Sequence, residues 1–326
     1  MTRRALVTGG AGFIGSHVSD LFIARGYEVD IVDNLSSGKR ENVPAKARLH
    51  VMDVASPEVA RFVTETPFDV IVHLAAQIDV RKSVADPVAD ARVNVMGSIS
   101  LLEAVRTKTA GPKPRFVFSS TGGAVYGDFA KPPYRETTQK EPESPYAIAK
   151  LSVEYYMAYY ARVHGLDTAT VRFANVYGPR QDAHGEAGVV AIFCGRLLEG
   201  VPLKVFGDGR QTRDYVYVGD VAEVTYRAAT SKLPAAGAID ARAFNVGTGI
   251  ETSVIELATQ LQAVAKSPTP LEFAPKRPGE AERSVLIVEK ALAALGWRPQ
   301  TSLADGLAET YAYFAARSAT ATAPRG

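Results

Sequence analysis

The stretch Thr8–His17, TGGAGFIGSH, follows a short apolar run and precedes a helical pattern. Its glycines satisfy Gly-x-Gly-x-x-Gly at Gly10, Gly12 and Gly15. Gly9, Gly12 and Gly15 also satisfy the wider spacing Gly-x-x-Gly-x-x-Gly. Glycines at these positions allow a tight turn, so that the backbone and the helix N-terminus can approach a pyrophosphate. The stretch therefore predicts a strand–turn–helix unit that binds a dinucleotide.

A carboxylate lies about 20 residues beyond the glycines, as expected in a dinucleotide-binding unit. It belongs to Asp33, which ends the next predicted strand. We expect Asp33 to accept hydrogen bonds from the adenosine ribose and to repel a 2′-phosphate, which favours NAD over NADP. The alternative is an ordinary strand-end turn, because Asn34 and Ser36–Gly38 follow. Asp53 ends the third predicted strand, and we expect it beside the adenine edge.

Apolar strands alternate with helices through the first half of the chain. The predicted strands are Ala5–Thr8, Glu28–Val32, Arg48–Met52, Val70–Leu74, Phe116–Ser119 and Thr168–Phe173. The predicted helices are Phe13–Arg25, a short one after Pro57, Val84–Thr107 and Pro145–His164. Strands separated by helices form a parallel sheet covered on both faces, and right-handed crossovers make such a sheet doubly wound.

The pattern changes after Asn175, where loops become longer and richer in glycine, proline and charge. Helices are predicted near Val189–Glu199, Val221–Thr230, Val254–Val264, Glu289–Leu295 and Leu303–Phe314. We expect an NAD-binding domain from residues 1–177 and parts of 214–250, a second domain from 178–213 and 251–316, and a disordered tail at 317–326. The predicted fold class is α/β: a doubly wound parallel (Rossmann) sheet with a smaller, interleaved α/β substrate-binding region.

Composition excludes several classes of protein. The chain has 326 residues, 46% of them hydrophobic, and a formal net charge of +2, so we expect no nucleic-acid partner. The single cysteine, Cys194, excludes an intrachain disulfide, and the scattered histidines lack the spacing of a metal site. No apolar stretch reaches the roughly 20 residues that span a bilayer, and the first apolar run is too short for a signal peptide. We therefore expect a cytoplasmic protein with no metal and no membrane partner.

Tyr146 and Lys150 form the only Tyr-x-x-x-Lys pattern among the 14 tyrosines. Ser144 and Pro145 open a helix there, so the pair shares one helix face. A phenol that loses a proton beside an ammonium, together with a dinucleotide, suggests hydride transfer, with Lys150 and a positive nicotinamide ring lowering the pKa of the phenol. The alternative is a chance pair on an amphipathic helix. Further tyrosines on this helix are predicted to pack in the core or in an interface: Tyr155, Tyr156, Tyr159 and Tyr160.

Taken together, these residues resemble the extended short-chain dehydrogenase/reductase family, and within it the UDP-glucose 4-epimerase-like nucleotide-sugar epimerases, over nearly the whole chain. The matching motifs are Thr8–His17, Asp33–Gly38 (DNLSSG), His73–Gln77 (HLAAQ), Asn94–Gly97 (NVMG), Ser119–Gly127 (SSTGGAVYG), Ser144–Lys150 (SPYAIAK), Arg172–Arg180 (RFANVYGPR), Phe206–Tyr215 (FGDGRQTRDY) and Arg277–Glu280 (RPGE).

The resemblance implies tightly bound NAD, a UDP-sugar substrate and a homodimer that packs through the helices near Val84–Thr107 and Pro145–His164. The residues that it implies for NAD binding are Gly9, Gly12, Phe13, Ile14, Gly15, Asp33, Asn34, Ser36, Gly38, Asp53, Val54, Leu74, Ala75, Ala76, Gln77, Asn94, Ser119, Tyr146, Lys150 and Phe173.

The resemblance also implies catalytic roles for Tyr146, Lys150 and Thr121. The residues that it implies for substrate binding are Thr121, Tyr146, Asn175, Val189, Val190, Lys204, Val205, Phe206, Arg213, Arg277 and Glu280. Among them, Asn175 would contact the phosphate or the sugar, and Phe206 with its two predecessors would line a uracil slot. Arg213 and Arg277 would bind the pyrophosphate, whose oxygens match guanidinium forks, and Glu280 the uridine ribose.

Gly122 and Gly123 stand where related dehydratases and decarboxylases carry acidic residues, which favours simple redox chemistry at one carbon. Ser284 falls where some members carry a bulky tyrosine, which leaves N-acetylated sugars open as substrates. The resemblance thus implies NAD-dependent epimerisation at C4 of a UDP-hexose (UDP-glucose/UDP-galactose) through a 4-keto intermediate. The alternatives are an NAD(H)-dependent nucleotide-sugar reductase or oxidase, a UDP-uronate or UDP-pentose 4-epimerase, and a non-catalytic NAD-binding sensor.

Overall fold

The computed structural model describes residues 2–183, 188–276 and 281–322, the last three by backbone alone. Its strands are β1 (Arg4–Thr8), β2 (Glu28–Asp33), β3 (Arg48–Val51), β4 (Val70–His73), β5 (Arg115–Thr121), β6 (Thr168–Phe173), β7 (Asn175–Tyr177), β8 (Leu203–Phe206), β9 (Thr212–Tyr217), β10 (Ala243–Val246), β11 (Glu251–Ser253), β12 (Leu271–Ala274) and β13 (Arg283–Ser284). Its helices are α1 (Phe13–Ala24), α2 (Pro57–Glu65), α3 (Val80–Ala85), α4 (Pro87–Ala91), α5 (Gly97–Arg106), α6 (Pro145–His164), α7 (Val189–Glu199), α8 (Val218–Thr230), α9 (Val254–Ala265), α10 (Glu289–Leu295) and α11 (Leu303–Thr322).

Seven parallel strands form the central sheet, in the order β10-β6-β5-β4-β1-β2-β3. The chain moves outward from β1 through β2 to β3, and then outward on the opposite side from β4 through β5 to β6. This reversal between β1 and β4 creates a crevice at their carboxyl ends, where open α/β sheets bind ligands. The prediction of a doubly wound parallel sheet is confirmed.

Short apolar strands supply a core on each face of the sheet. Ala5 and Val7 lie in the cluster formed with α1 and α8, whereas Leu6 and Ile71 lie in the cluster formed with α2, α5 and α6. All four side chains are fully buried. Because successive side chains alternate across a strand, one continuous apolar run serves both cores.

Helix α6 has the start and stop signals that its sequence predicts. The Oγ of Ser144 accepts a hydrogen bond from the amide of Ala147 at 3.2 Å, and Pro145 occupies the first turn. Gly165 ends the helix in the left-handed conformation, with φ 64°. The predicted bounds of this helix are therefore confirmed.

The helical region predicted over Val84–Thr107 is helical in the structure, but it is divided into several helices. Helix α3 ends at Ala85, and Asp86 leaves the helical conformation (φ −141°, ψ 81°) because a residue before proline, here Pro87, avoids it. The side chain of Asp86 then caps α4 by accepting from the amide of Ala89 at 2.9 Å. A π-helical turn over Arg92–Met96 continues into α5.

The second half of the chain adds two smaller sheets. In one, β9 pairs with β7, β11 and β13, and in the other β8 pairs in parallel with β12. Helices α7, α9 and α11 cover them around an apolar cluster that includes Phe193, Leu257 and Leu307. Since β10 returns to the central sheet after α8, the two regions are interleaved along the chain.

The last helix extends further than predicted. Helix α11 continues to Thr322, into the segment that we expected to be disordered. Two of residues 317–322 are alanines, the strongest helix former, and Arg317 forms an ion pair with the distant Glu41. Within the described part of the chain, no helix combines the length and apolar character needed to cross a bilayer.

Candidate active site

The glycine-rich turn lies between β1 and α1 and is held closed by its own backbone. Gly9 has a φ of 70°, which favours glycine, and its amide donates to the carbonyl of Val32 at 2.8 Å. A Cβ on Gly15 would lie 2.1 Å from the carbonyl oxygen of Gly9, and a Cβ on Gly9 would lie 2.7 Å from the nitrogen of Ala75. The turn therefore requires glycine at both positions, and it brings the start of α1 against the end of β4.

Asp33 ties the end of β2 to this turn. Its Oδ2 accepts from the amide of Ala11 at 3.0 Å, and its Oδ1 accepts from the amide of Leu35 at 2.8 Å. Gly38 approaches so closely that a Cβ there would lie 2.7 Å from Oδ1. A carboxylate has about four acceptor positions, so acceptor capacity remains for a ribose diol.

Asp53 lies next to the end of β2. Its Oδ2 accepts from Nδ2 of Asn34 at 2.9 Å, and its Oδ1 accepts from the amide of Ala55 at 2.8 Å. Asn34 in turn accepts from the amide of Ser36 at 3.0 Å, while Val54 is buried. The predicted adenine-side residues therefore meet at the carboxyl ends of β2 and β3.

His73, at the end of β4, connects three elements through hydrogen bonds of defined direction. Ser98 Oγ donates to the carbonyl of Asn94 at 2.6 Å, so it must accept from Nε2 of His73 at 2.9 Å. Thr8 Oγ1 accepts from the amide of Leu74 at 3.2 Å and donates to Nδ1 of His73 at 2.7 Å. The ring is thus neutral, and burial, with a smaller contribution from the charge of Lys150, lowers its pKa to about 3.

Gln77 and Asn94 hold each other beside the end of β4. The amide of Gln77 donates to Oδ1 of Asn94, and Nδ2 of Asn94 donates back to the carbonyl of Gln77, both at 2.9 Å. Asp90 accepts from the side-chain amides of both residues, again at 2.9 Å. Residues 74–76, also predicted for NAD, are partly exposed along the same strand end.

Tyr146 and Lys150 lie against the carboxyl end of β5. Nζ of Lys150 donates to the carbonyl of Ser119 at 2.9 Å and lies 4.8 Å from the ring centroid of Phe118 and 5.9 Å from that of Tyr146. Ser119 Oγ donates to the carbonyl of His73 at 3.2 Å. The structure therefore brings the predicted pair to the strand end where ligands of open sheets bind.

Burial moves the pKa values of this pair in opposite directions. It lowers the pKa of Lys150 to about 8, against the charges of Asp90 and Glu154, which raise it. It raises the pKa of Tyr146, and the charge of Asp90 adds to that rise. We expected Lys150 and a nicotinamide ring together to lower the pKa of Tyr146. The chain alone has the opposite effect, because desolvation opposes the phenolate.

Thr121 ends β5 opposite Phe173, which ends β6. The amide of Gly122 donates to the carbonyl of Phe173 at 2.8 Å. A Cβ on Gly123 would lie 3.9 Å from both Oγ1 of Thr121 and Oδ1 of Asn175. Thr121 of β5 and Asn175 of β7 therefore flank one small space over Gly123.

The predicted pyrophosphate and uracil residues lie on the two smaller sheets. Arg213 stands on β9 in register with Ser284 of β13, and the pairing of β7 with β9 places that strand beside Asn175. On β8, Val205 is buried in the core, whereas Nζ of Lys204 lies 5.5 Å from the ring centroid of the partly exposed Phe206. Two further sets complete the predicted substrate residues: Val189 and Val190, which begin α7, and Arg277 and Glu280, which lie outside the described residues.

Several buried charged residues received no role from the sequence reasoning, among them Asp90, Glu154 and Arg172. Nε of Arg172 donates to both carboxylate oxygens of Glu154 at 3.0 Å. A signal was available for two of them, because Glu154 follows Lys150 by four residues and Asp90 precedes Asn94 by four. Residues at that spacing share a helix face, so Asp90 accepts from Asn94, and the charge of Glu154 raises the pKa of Lys150.

This arrangement fits a bound dinucleotide. The turn has no room for a side chain at Gly9 or Gly15 and presents the N-terminus of α1 to a pyrophosphate. Asp33 retains acceptor capacity for a ribose on one side of the crevice, and Lys150 supplies an ammonium on the other. Comparison with known proteins agrees, since residues 5–247 match the epimerase family described as "NAD dependent epimerase/dehydratase family".

Relatives and solved structures match along nearly their whole length. The chain is 45% identical over 320 residues to a UDP-glucose 4-epimerase of Mycolicibacterium smegmatis, covering 97% of this chain and 99% of that protein. A UDP-glucose 4-epimerase structure with UDP-glucose from Thermotoga maritima superimposes with a TM-score of 0.90 at 44% identity, covering 97% and 99% of the two chains. A complex of UDP-glucose 4-epimerase with NAD from Thermus thermophilus gives a TM-score of 0.87 at 43% identity, covering 95% and 98%. The chain therefore belongs to the NAD dependent epimerase/dehydratase family.

Proposed function

We propose that this protein catalyses NAD-dependent epimerisation at C4 of a UDP-hexose, with UDP-glucose and UDP-galactose as the interconverted pair. One observation carries the proposal: Tyr146 and Lys150 lie against the carboxyl end of β5, the strand that Thr121 ends, in a chain 45% identical to a UDP-glucose 4-epimerase over nearly its whole length.

Each of these three side chains has one task in the proposed reaction. Tyr146 accepts the proton of the sugar 4-hydroxyl as general base and returns it as general acid. Thr121 holds the same oxygen by a hydrogen bond, and the ammonium of Lys150, anchored on the carbonyl of Ser119, stabilises the phenolate. When bound, NAD supplies the hydride acceptor for C4 and the source of its return. The 4-keto sugar turns its other face before the hydride returns, so that C4 is inverted without net oxidation.

Because the pKa of Tyr146 is raised, nearby positive charges must stabilise its phenolate. Burial and Asp90 both oppose the phenolate. Lys150, with a pKa of about 8, remains mostly charged at neutral pH and favours it. A cationic nicotinamide ring contributes a second positive charge. Ionisation of Tyr146 is therefore coupled to occupation of the cofactor site, and the phenol stays protonated otherwise.

The residues after Thr121 argue against elimination and decarboxylation. Those reactions need an additional acid or base close to the sugar, and this chain has Gly122 and Gly123 there. A Cβ on Gly122 would lie 2.4 Å from Cδ1 of Leu286, so a carboxylic side chain does not fit without repacking. This supports redox chemistry at a single carbon.

A specific observation favours N-acetylated UDP-hexoses as further substrates. Ser284 is small and buried, and it stands in register with Arg213, which we propose for the pyrophosphate. A bulky side chain at this position would take up space next to the sugar. Ser284→Tyr should therefore lower the turnover of UDP-GlcNAc more than that of UDP-glucose, and equal losses on both would remove this part of the proposal.

The decisive experiment incubates the purified protein with a panel of UDP-sugars without added nucleotide and separates the products by chromatography. An epimerase with tightly held NAD converts UDP-galactose to UDP-glucose under these conditions. A reductase or oxidase would need added NADH or NAD and would release a product of changed oxidation state. A non-catalytic sensor would convert none of the sugars.

We also infer a homodimer that packs through α6 together with α3 and α4, which contact it. Tyr160 is buried, but Tyr155, Tyr156 and Tyr159 are exposed on α6, and Val88 of α4 is 69% exposed. A second copy related by a twofold axis would cover these apolar groups. Light scattering should give a dimer for the wild type and a monomer for the double change Tyr155→Glu with Val88→Glu. A monomeric wild type at micromolar concentration would contradict the inference.

A further inference from the structure

Asp90 of α4 is a buried carboxylate that no step of the proposed reaction uses. Its side chain is almost completely inaccessible, and its Oδ1 accepts from Nε2 of Gln77 and Nδ2 of Asn94, both at 2.9 Å. The opposite ends of these amides are also engaged, because Oε1 of Gln77 accepts from the amide of Asp79 and Oδ1 of Asn94 accepts from the amide of Gln77. The orientation of Asp90 is therefore fixed by two residues that we assign to NAD.

The second oxygen of Asp90, Oδ2, is buried and has no hydrogen-bond partner among the described residues. A buried carboxylate oxygen without a donor is costly, so such a group points to a role in the bound state. Helix α4 packs against α6, and the charge of Asp90 reaches Tyr146 and Lys150, raising the pKa of each. The unpaired oxygen is therefore part of the same electrostatic environment as the proposed proton-transfer pair.

We propose that Asp90 biases the bound nucleotide toward its oxidised form, by placing a negative charge near the nicotinamide end of the site. The proposal rests on the proposed function, which sets that end beside Tyr146 and Lys150. The nicotinamide ring of NAD⁺ is cationic and that of NADH is neutral, so a nearby carboxylate stabilises only the first by Coulomb attraction. Gln77 and Asn94 hold the carboxylate in place for this purpose.

The bias would serve the second half of an epimerase cycle. Hydride taken from C4 carries two electrons to the ring, and its return restores both the sugar and NAD⁺, so electrons balance over one turnover. A site that favours NAD⁺ drives the return step and limits the time during which a 4-keto sugar can escape. Asp90 thus acts through the nucleotide and takes no proton itself.

The test measures nucleotide preference in the absence of any sugar. Full-length holoprotein is equilibrated with mixtures of NAD⁺ and NADH of known composition, separated from free nucleotide by rapid gel filtration, and denatured, and the released forms are quantified by chromatography. Asp90→Asn keeps the Oδ1 acceptor for both amides and removes only the charge. The bound NAD⁺:NADH ratio should then fall roughly tenfold relative to wild type.

The control is Asp86→Asn, which makes the same change of charge at the exposed N-cap position of the same helix and preserves the cap. It should leave the bound NAD⁺:NADH ratio unchanged.

Asp90→Thr is a second variant without the charge, and its hydroxyl can still accept from Asn94. Either of the two Asp90 variants, if folded, is sufficient to test the proposal. If the Asp90 variants keep a bound NAD⁺:NADH ratio within about twofold of wild type, Asp90 has a purely structural role and the proposal is overturned. This holds even if both NAD⁺ and NADH bind more weakly. Because no UDP-sugar is present, this failure would be distinct from failure of the epimerase assay.

Discussion

At the scale of single residues, Tyr146 has the most specific task, since its hydroxyl alone moves a proton in the proposed reaction. Tyr146→Phe removes that hydroxyl and keeps the ring. We expect kcat to fall by roughly 10²- to 10⁴-fold, with melting temperature and bound nucleotide unchanged, as measured by initial rates with UDP-galactose and by chromatography of the released nucleotide. Tyr155→Phe, the same change at an exposed position of α6, should keep full activity. Comparable rates for the two variants would refute the assignment.

His73 leads to a prediction about stability and pH. Its pKa is lowered from 6.5 to about 3 in the folded protein, so the unfolded state binds a proton first as pH falls. The stability contributed by neutral His73 is complete above pH 6.5 and is lost as the pH falls through that window to 3. Within this window His73 should contribute a slope of about 1.4 kcal/mol per pH unit to the free energy of unfolding. Urea unfolding of His73→Gln should show a correspondingly flatter dependence, and identical slopes would contradict the neutral, buried ring.

At the scale of elements, the turn between β1 and α1 depends on a close approach of two backbones. Gly15→Ala would place a Cβ 2.1 Å from the carbonyl of Gly9, so the turn must open and nucleotide binding should be lost. Gly195→Ala is the matched control, because it lies inside α7 and, among the described residues outside this helix, only the methyl of Ala183 is near its Cβ, at 3.9 Å. That variant should bind NAD normally and gain up to about 1 kcal/mol from helix propensity. Chromatography of the nucleotide released on denaturation and thermal melting check both variants, and a normal content of NAD in Gly15→Ala would contradict this account.

At the scale of the whole molecule, one buried ion network joins distant parts of the chain. Arg172 of β6 donates to Glu154 of α6 at 3.0 Å and to Asp240 at 2.8 Å. Its Nη1 also donates to the hydroxyl of Tyr126 at 3.1 Å, and that hydroxyl donates to Asn245 of β10 at 2.6 Å. The network therefore connects the helix that carries Tyr146 to the loop after β5 and to the edge of the central sheet.

This network should contribute far more to stability than a surface ion pair. Arg172→Met leaves Glu154 buried without its partner and should cost about 3–5 kcal/mol of unfolding free energy. Arg135→Met, which breaks the exposed pair with Glu289, should cost about 0–1 kcal/mol. Urea denaturation compares the two substitutions directly. Equal losses would show that burial does not set the strength of the interaction in this protein.

Much of this architecture was predictable because its signals are local. The glycine turn, the apolar strands and the caps of α6 each depend on a few consecutive residues, and they predicted the order of elements and the position of Tyr146 and Lys150. The helical region predicted over Val84–Thr107 lacked its internal division, since Asp86 and Pro87 form a local stop. The prediction also missed the length of α11, because an ion pair of Arg317 with the distant Glu41 adds to the helix propensity of the alanines there.

By itself, the sequence determined which elements form and which reactive groups the molecule contains, because hydrophobic period, turn glycines and caps act over one or two turns of chain. Only the tertiary structure decided which buried charges meet. The contacts of Asp90 with Gln77 and of Arg172 with Glu154 and Asp240 join segments that the linear order keeps apart. The protonation states of Tyr146 and His73 were likewise decided by folding, since desolvation depends on every segment that excludes water from a side chain.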